Sequence, residues 1–250
     1  MLRELLSLFK SDDAVARMSA GFSDMLELAR ELILVAGRHF FEERPTADER
    51  TALLRRDVKV NKLERRIRKQ VIAHLTLSSA GRQAPYGLLL MSLVKDVERI
   101  GDYAKNISEI YDEGGGGLPP AGEDPNADEL RELRRIVETI FAETGGVFAA
   151  SDSEKATELI RVGKEVGQRA DRLVSRIAAG PYDAATTVTL VLGTRYYKRV
   201  CAHLMNILSG VVMPLHKLDY FDEDDLPLRE ALEAREGHGE DEEGSATPPS

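Results

Sequence analysis

Apolar residues recur at intervals of three and four from about residue 12 to residue 220, and the alternation a strand needs is hard to find. The pattern predicts six helices. The first runs from about 12 to 42, opening at Ser11, Asp12 and Asp13, carrying Met18, Phe22, Met25, Leu26, Ala29, Leu32 and Ile33, and stopping near Pro45. The second opens on a capping box, Thr46 to Glu49, and runs through Leu53, Val60, Leu63, Ile67, Val71 and Leu75 to the break at Ser78 to Gly81. The third has Pro85 in its first turn and extends to about Asp112 along Leu90, Leu93, Val94, Val97, Ile100, Ala104, Ile107 and Tyr111.

Gly114 to Gly117 and the following Leu-Pro-Pro-Ala-Gly mark a boundary, after which the plan repeats. The fourth helix is expected to start at the Asn126 to Glu129 cap and end near Gly145-Gly146. The fifth is expected to start at a second box, Ser151 to Glu154, and end before Gly180-Pro181, and the sixth to cover roughly 183 to 218. The fold class is therefore all-α, two tandem antiparallel three-helix bundles related by duplication. The expected divisions are a first bundle at 1–112, a linker at 113–125, a second bundle at 126–221 and a tail at 222–250. At an offset of 100, Arg99, Asn106 and Ile107 recur as Arg199, Asn206 and Ile207.

Charge sharpens this division. The chain carries 34 basic and 43 acidic residues, a net charge of −9. Residues 222–250 hold eleven acids against Arg229 and Arg235, so the tail alone accounts for −9 and the body is balanced. A balanced body gives no field for collecting nucleic-acid phosphates. The tail reads as a disordered, solubilising extension rather than a docking peptide. The opening MLRELLSLFK is amphipathic, but Glu4 interrupts its apolar face and no small-residue cleavage site follows, so it reads as a helix packed on its own bundle. No segment reads as a membrane span; Val200 to Leu218 is broken by His203, Asn206, Pro214 and His216. A single cysteine, Cys201, cannot form an internal disulfide and reads as a small buried hydrophobe, and a cytoplasmic location follows as the default.

The segment with most chemistry is Leu93 to Ile110, LVKDVERIGDYAKNISEI. Glu98 and Asp102 stand four apart, so their carboxylates project from adjacent turns of one face, with Asn106 extending the strip. One reading is a solvated acidic patch offset by Lys95, Arg99 and Lys105. The other draws in Asp57 and Asn61, four apart on the second helix: an antiparallel neighbour would place Asp57 opposite Glu98 and Asp102, giving an all-oxygen site for a hard cation. The five histidines show no ligand spacing, and the glycine run is not followed by Gly-Lys-Ser/Thr, so it is a linker and not a phosphate cradle.

VERIGDYAKNI resembles the signature of the PhoU family of phosphate-regulation proteins, and the resemblance extends over roughly residues 12 to 218. It implies two tandem spectrin-like three-helix bundles, each with paired Glu/Asp-x-x-x-Asp motifs that hold a metal cluster. Glu98-Arg-Ile-Gly-Asp102 fits that motif, and DVKVNKLERRI, residues 57–67, looks like its partner, with Asn61 where the family usually has an acid. The implied ligands are Asp57, Asn61, Glu98 and Asp102, and the implied cofactor is a divalent or ferric ion, with Fe, Zn, Mn and Mg as candidates. The second half departs from the pattern: Lys198 and Ala202 replace the equivalents of Glu98 and Asp102, and Asp171 is the lone acid opposite. An ammonium about 4 Å from a dication is repelled by roughly 8 kcal/mol at an effective dielectric of 20, so no cluster is expected there.

The resemblance also implies a role: a non-catalytic adaptor between the ATP-binding subunit of a phosphate ABC transporter and a sensor histidine kinase, restraining both when phosphate is plentiful. Membrane association would be peripheral, through those partners, and a homodimer is compatible with the reading. Two other classes compete. A carboxylate-bridged di-metal oxidase of the ferritin-like kind uses Glu-x-x-His pairs, and none of the five histidines has a Glu three residues before it. A purely structural scaffold leaves the VERIGDYAKNI segment without a purpose.

Overall fold

The computed structural model describes residues 13–77, 84–112 and 116–218. Among them are six long helices: α1 (Asp13–Phe41), α2 (Ala47–Leu77), α3 (Ala84–Glu109), α4 (Pro125–Ala150), α5 (Ser153–Ala178) and α6 (Ala184–Val212), followed by a short 3-10 turn at Leu215–Lys217. The expectations for residues 1–10 and for the tail lie outside the described residues. Helices α1 to α3 pack on one another, as do α4 to α6, giving two three-helix bundles.

Local chemistry accounts for the helix ends. The capping box on α2 forms as expected: the Thr46 amide donates to Glu49 at 2.8 Å and the Glu49 amide donates to Thr46 Oγ1 at 3.3 Å. Two other boundaries differ from the sequence reading. Asp124, not Asn126, caps α4, accepting from the Ala127 amide at 2.7 Å ahead of Pro125 in the first turn. Helix α4 also runs through Gly145-Gly146 to Ala150, because Val147 and Phe148 continue its buried face and Phe148 stacks 4.8 Å from Phe22 of α1. Tertiary burial there outweighs the cost of about 1 kcal/mol per helical glycine. Ser151 then ends α4 in a left-handed conformation, and Asp152 rather than Ser151 caps α5.

One buried cluster runs through both bundles. It is continuous because α3 packs on α6 and α1 on α4. Close approach is needed where Phe40 meets α6: a Cβ on Gly193 would lie 2.8 Å from the Phe40 ring, so only glycine lets the ring seat. The segment after the first bundle is tied to the second, with the Gly116 amide donating to Ala185 at 3.0 Å and Thr189 Oγ1 donating to the Gly116 carbonyl at 2.8 Å.

Candidate functional site

Helices α2 and α3 meet along Val60, Ile67, Val97, Ile100 and Ala104, all buried, and this packing carries Asp57 with it into the interface. Only 4% of Asp57 is exposed. Its Oδ1 rests against Gly101, where a Cβ would sit 3.1 Å away, so the glycine of Glu-Arg-Ile-Gly-Asp leaves the space that the carboxylate uses. Asn61, one turn on, donates from Nδ2 to Asp57 Oδ2 at 3.4 Å, a long contact. Asp57 Oδ1 and Asn61 Oδ1 are both buried without a hydrogen-bond partner.

The cation at this place is a side chain. Lys105 Nζ lies 3.1 Å from Asp57 Oδ2 and 2.8 Å from Asp102 Oδ1, joining the two helices. Burial works against its charge, but the Asp102 and Asp57 carboxylates outweigh that and hold its pKa above the ordinary lysine value. Glu98 turns to a different partner, Lys95 at 2.6 Å, with Arg99 at 4.0 Å; Arg99 also lies 3.7 Å from Asp102. The structure thus gathers Asp57 and Asp102 around one ammonium, with Asn61 bonded to Asp57, and gives Glu98 a lysine partner of its own on the same helix.

Among the described residues no three His, Cys, Asp or Glu side chains converge as a metal-binding group. The donor chemistry nevertheless suits one hard cation: Asp57 and Asn61 each keep a buried oxygen without a partner, and Lys105 links the Asp57 carboxylate to that of Asp102. Lys105 already occupies the other Asp57 oxygen and one Asp102 oxygen, so any such ion would share these two carboxylates with it. Lys105 was legible in the sequence only as one of three offsetting cations, and its bridging role follows from the α2–α3 register.

The second bundle holds the corresponding place differently. Lys198 Nζ donates to both oxygens of Asp171 at 2.6 Å, with Arg195 3.8 Å away, and Asp171 is half exposed. The lysine that the sequence placed against metal binding there is engaged by the lone acid.

Sequence reasoning missed one polar cluster altogether. Asp96, buried on α3, accepts from His203 Nδ1 at 2.8 Å and from Asn206 Nδ2 at 2.9 Å, both on α6. The His203 ring lies 5.8 Å from that of Tyr103. His203 stands 100 positions after Tyr103, the offset at which the two halves repeat, so these two equivalent rings meet between the bundles. His39 is buried and hydrogen-bonded to Ser108 Oγ at 2.8 Å, and burial lowers its pKa. Cys201 is buried beside the Gly163 carbonyl, and burial pushes its thiol up to about 12, which fits an inert hydrophobe. A cleft of about 330 Å³ between the end of α1 and the start of α2 is lined by Arg38, Arg44 and Arg56 with Glu42, Glu43 and Glu49, and by none of the four strip residues.

Among the described residues no helix is long and apolar enough to cross a membrane. A family model, the PhoU domain, matches residues 15–111, which is α1 to α3. No curated protein matches the chain. Two solved structures share its fold. PhoU from Pseudomonas aeruginosa is 18% identical with a TM-score of 0.71, over 81% of this chain and 97% of that one. The phosphate transport system regulatory protein PhoU from Streptococcus pneumoniae is 14% identical with a TM-score of 0.68, over 79% of this chain and 92% of that one. The chain thus carries a PhoU domain in its first bundle and shares the fold of these two PhoU structures over both.

Proposed function

We propose that this protein regulates phosphate uptake as a non-catalytic cytoplasmic adaptor, touching the ATP-binding subunit of a phosphate ABC transporter and a sensor histidine kinase and restraining both when phosphate is plentiful. The observation that carries this reading is the PhoU-domain match over residues 15–111, which contains the Glu98 to Asp102 motif. The site supports it: its charged groups are engaged with one another across α2 and α3, an arrangement that holds two helices in register and presents a stiff surface. Full-length protein used as bait in phosphate-replete cells should recover the transporter ATPase or the kinase. Recovery of neither, with a redox partner in their place, would turn the reading toward the oxidase class.

We further propose that Asp57, Asn61 and Asp102, with Glu98 swung in from Lys95, hold a hard divalent or ferric ion in exchange for the Lys105 ammonium. Such an ion supplies fixed positive charge between α2 and α3. Neutral Asn61 and the competing lysine both weaken the site. Glu98→Gln with Asp102→Asn should abolish metal uptake while leaving helicity unchanged; equal metal content in the double variant would reject the site.

A further inference from the structure

The outer face of α2 is strongly basic in a body whose charges balance overall. Between residues 55 and 69 there are eight basic residues against Asp57 and Glu64. Asp57 is turned inward to Lys105, and Glu64 pairs with Arg68 at 3.0 Å. Among the described residues no ion pair engages Arg55, Lys59, Lys62, Arg65, Arg66 or Lys69, all of them exposed. Three aliphatic residues share this face, at spacings that place them with Lys62, Arg65 and Lys69: Leu54 is 44% exposed, Val58 46% and Ile72 57%. A helix face that is both cationic and apolar is complementary to a partner that is anionic and carries its own aliphatic residues.

The chain contains such a partner. Residues 222–243 hold eleven acids, with Leu226, Leu228 and Leu232 among them. The described chain ends at Leu218, shortly after α6, and α6 ends at the same end of the molecule as α2. Gly210 near the end of α6 lies against the start of α3, where a Cβ would sit 3.1 Å from Leu93 and 3.2 Å from Leu89. Gly87, in the first turns of α3, lies against the last turns of α2, 3.1 Å from Val71 by the same measure. Fifteen helical residues span about 22 Å, well within the reach of a segment that extends by about 3.3 Å per residue. Tethering also raises the effective concentration of the segment at this face.

We propose that the acidic segment at residues 222–243 docks in cis on the basic, aliphatic-studded outer face of α2 and competes there with any anionic partner. The sequence alone reads this segment as solubilising; the basic outer face of α2 gives it a complementary surface. The proposal is independent of the phosphate reading and of the metal site, since it uses the side of α2 that faces away from α3.

Zero-length carbodiimide coupling of the full chain, with the linked peptides identified by mass spectrometry in the monomer fraction, tests it. At low salt Lys59, Lys62 and Lys69 should be joined to carboxylates of residues 222–243. The yield should fall several-fold at 0.5 M salt, where the screening length shrinks to a few ångströms. Replacing exposed Arg55, Arg65 and Arg66 by Gln, which leaves the coupling lysines in place, should lower it comparably. Linkage confined to covalent dimers would assign the face to a second copy. Linkage spread over Lys155, Lys198 and Lys217 as readily as over α2 would leave the face to an external anion. Either result overturns the proposal.

Discussion

The two bundles share a plan and differ in how they neutralise acids between their helices. In the first, Asp57 is buried in the α2–α3 contact, keeps one oxygen without a partner, and is reached by Lys105 from the same helix as Asp102. In the second, Asp171 lies half exposed on α5 and Lys198 of α6 binds both its oxygens. The first arrangement keeps a charge in a low-dielectric place and leaves an unmet coordination demand. The second meets its demand fully, in contact with solvent. Burial, rather than the number of acids, separates the place proposed above to take a cation from an ordinary surface ion pair.

This difference predicts unequal costs when each lysine is removed. Lys105→Met leaves Asp57 buried and uncompensated and should destabilise the protein by about 3 kcal/mol, near the lower end for breaking a buried pair because the lysine itself is partly solvated. Lys198→Met should cost at most about 1 kcal/mol. Urea unfolding midpoints of the two variants measure the contrast, and equal shifts would erase the distinction between the bundles.

A second substitution tests whether the bundles behave as one body. Gly193→Ala pushes a methyl toward the Phe40 ring and should cost about 1–3 kcal/mol by overpacking. If the shared core transmits strain, the loss will appear as one cooperative transition displaced as a whole. Separate transitions for the two halves would show that the contact between them is weak.

The smallest expected effect is a pH dependence in the first bundle. Burial depresses the His39 pKa, so the unfolded chain takes up a proton that the folded chain resists. Stability from this group is complete above the ordinary histidine value near ~6.5 and declines as pH falls below it toward the folded value. Thermal melts of His39→Gln compared with the parent between pH 7 and 5 should show a shallower decline in the variant, and parallel curves would exclude His39 as the cause.

Much of this was legible in the sequence, and what was not has identifiable physical causes. The six helices follow from periodicity, and the Thr46 to Glu49 box fixed the start of α2 because it satisfies its donors locally. Gly145-Gly146 misled because intrinsic propensity is overridden when Val147 and Phe148 are buried against α1. The strip on α3 could be read from the spacing of Glu98 and Asp102. The pairing of Lys105 with Asp57 could not, since it depends on the register of two helices and on the space beside Gly101. The Asp96, His203 and Asn206 cluster joins residues more than 100 positions apart, which no local pattern encodes.

The most direct test of the central claim, that the first bundle alone holds a cation-accepting strip and that Lys105 competes for it, is metal uptake by equilibrium dialysis against Mn²⁺. The account predicts tighter Mn²⁺ binding in Lys105→Met than in the parent, with Lys198→Met indistinguishable from the parent. No gain in Lys105→Met, or an equal gain in Lys198→Met, would contradict it.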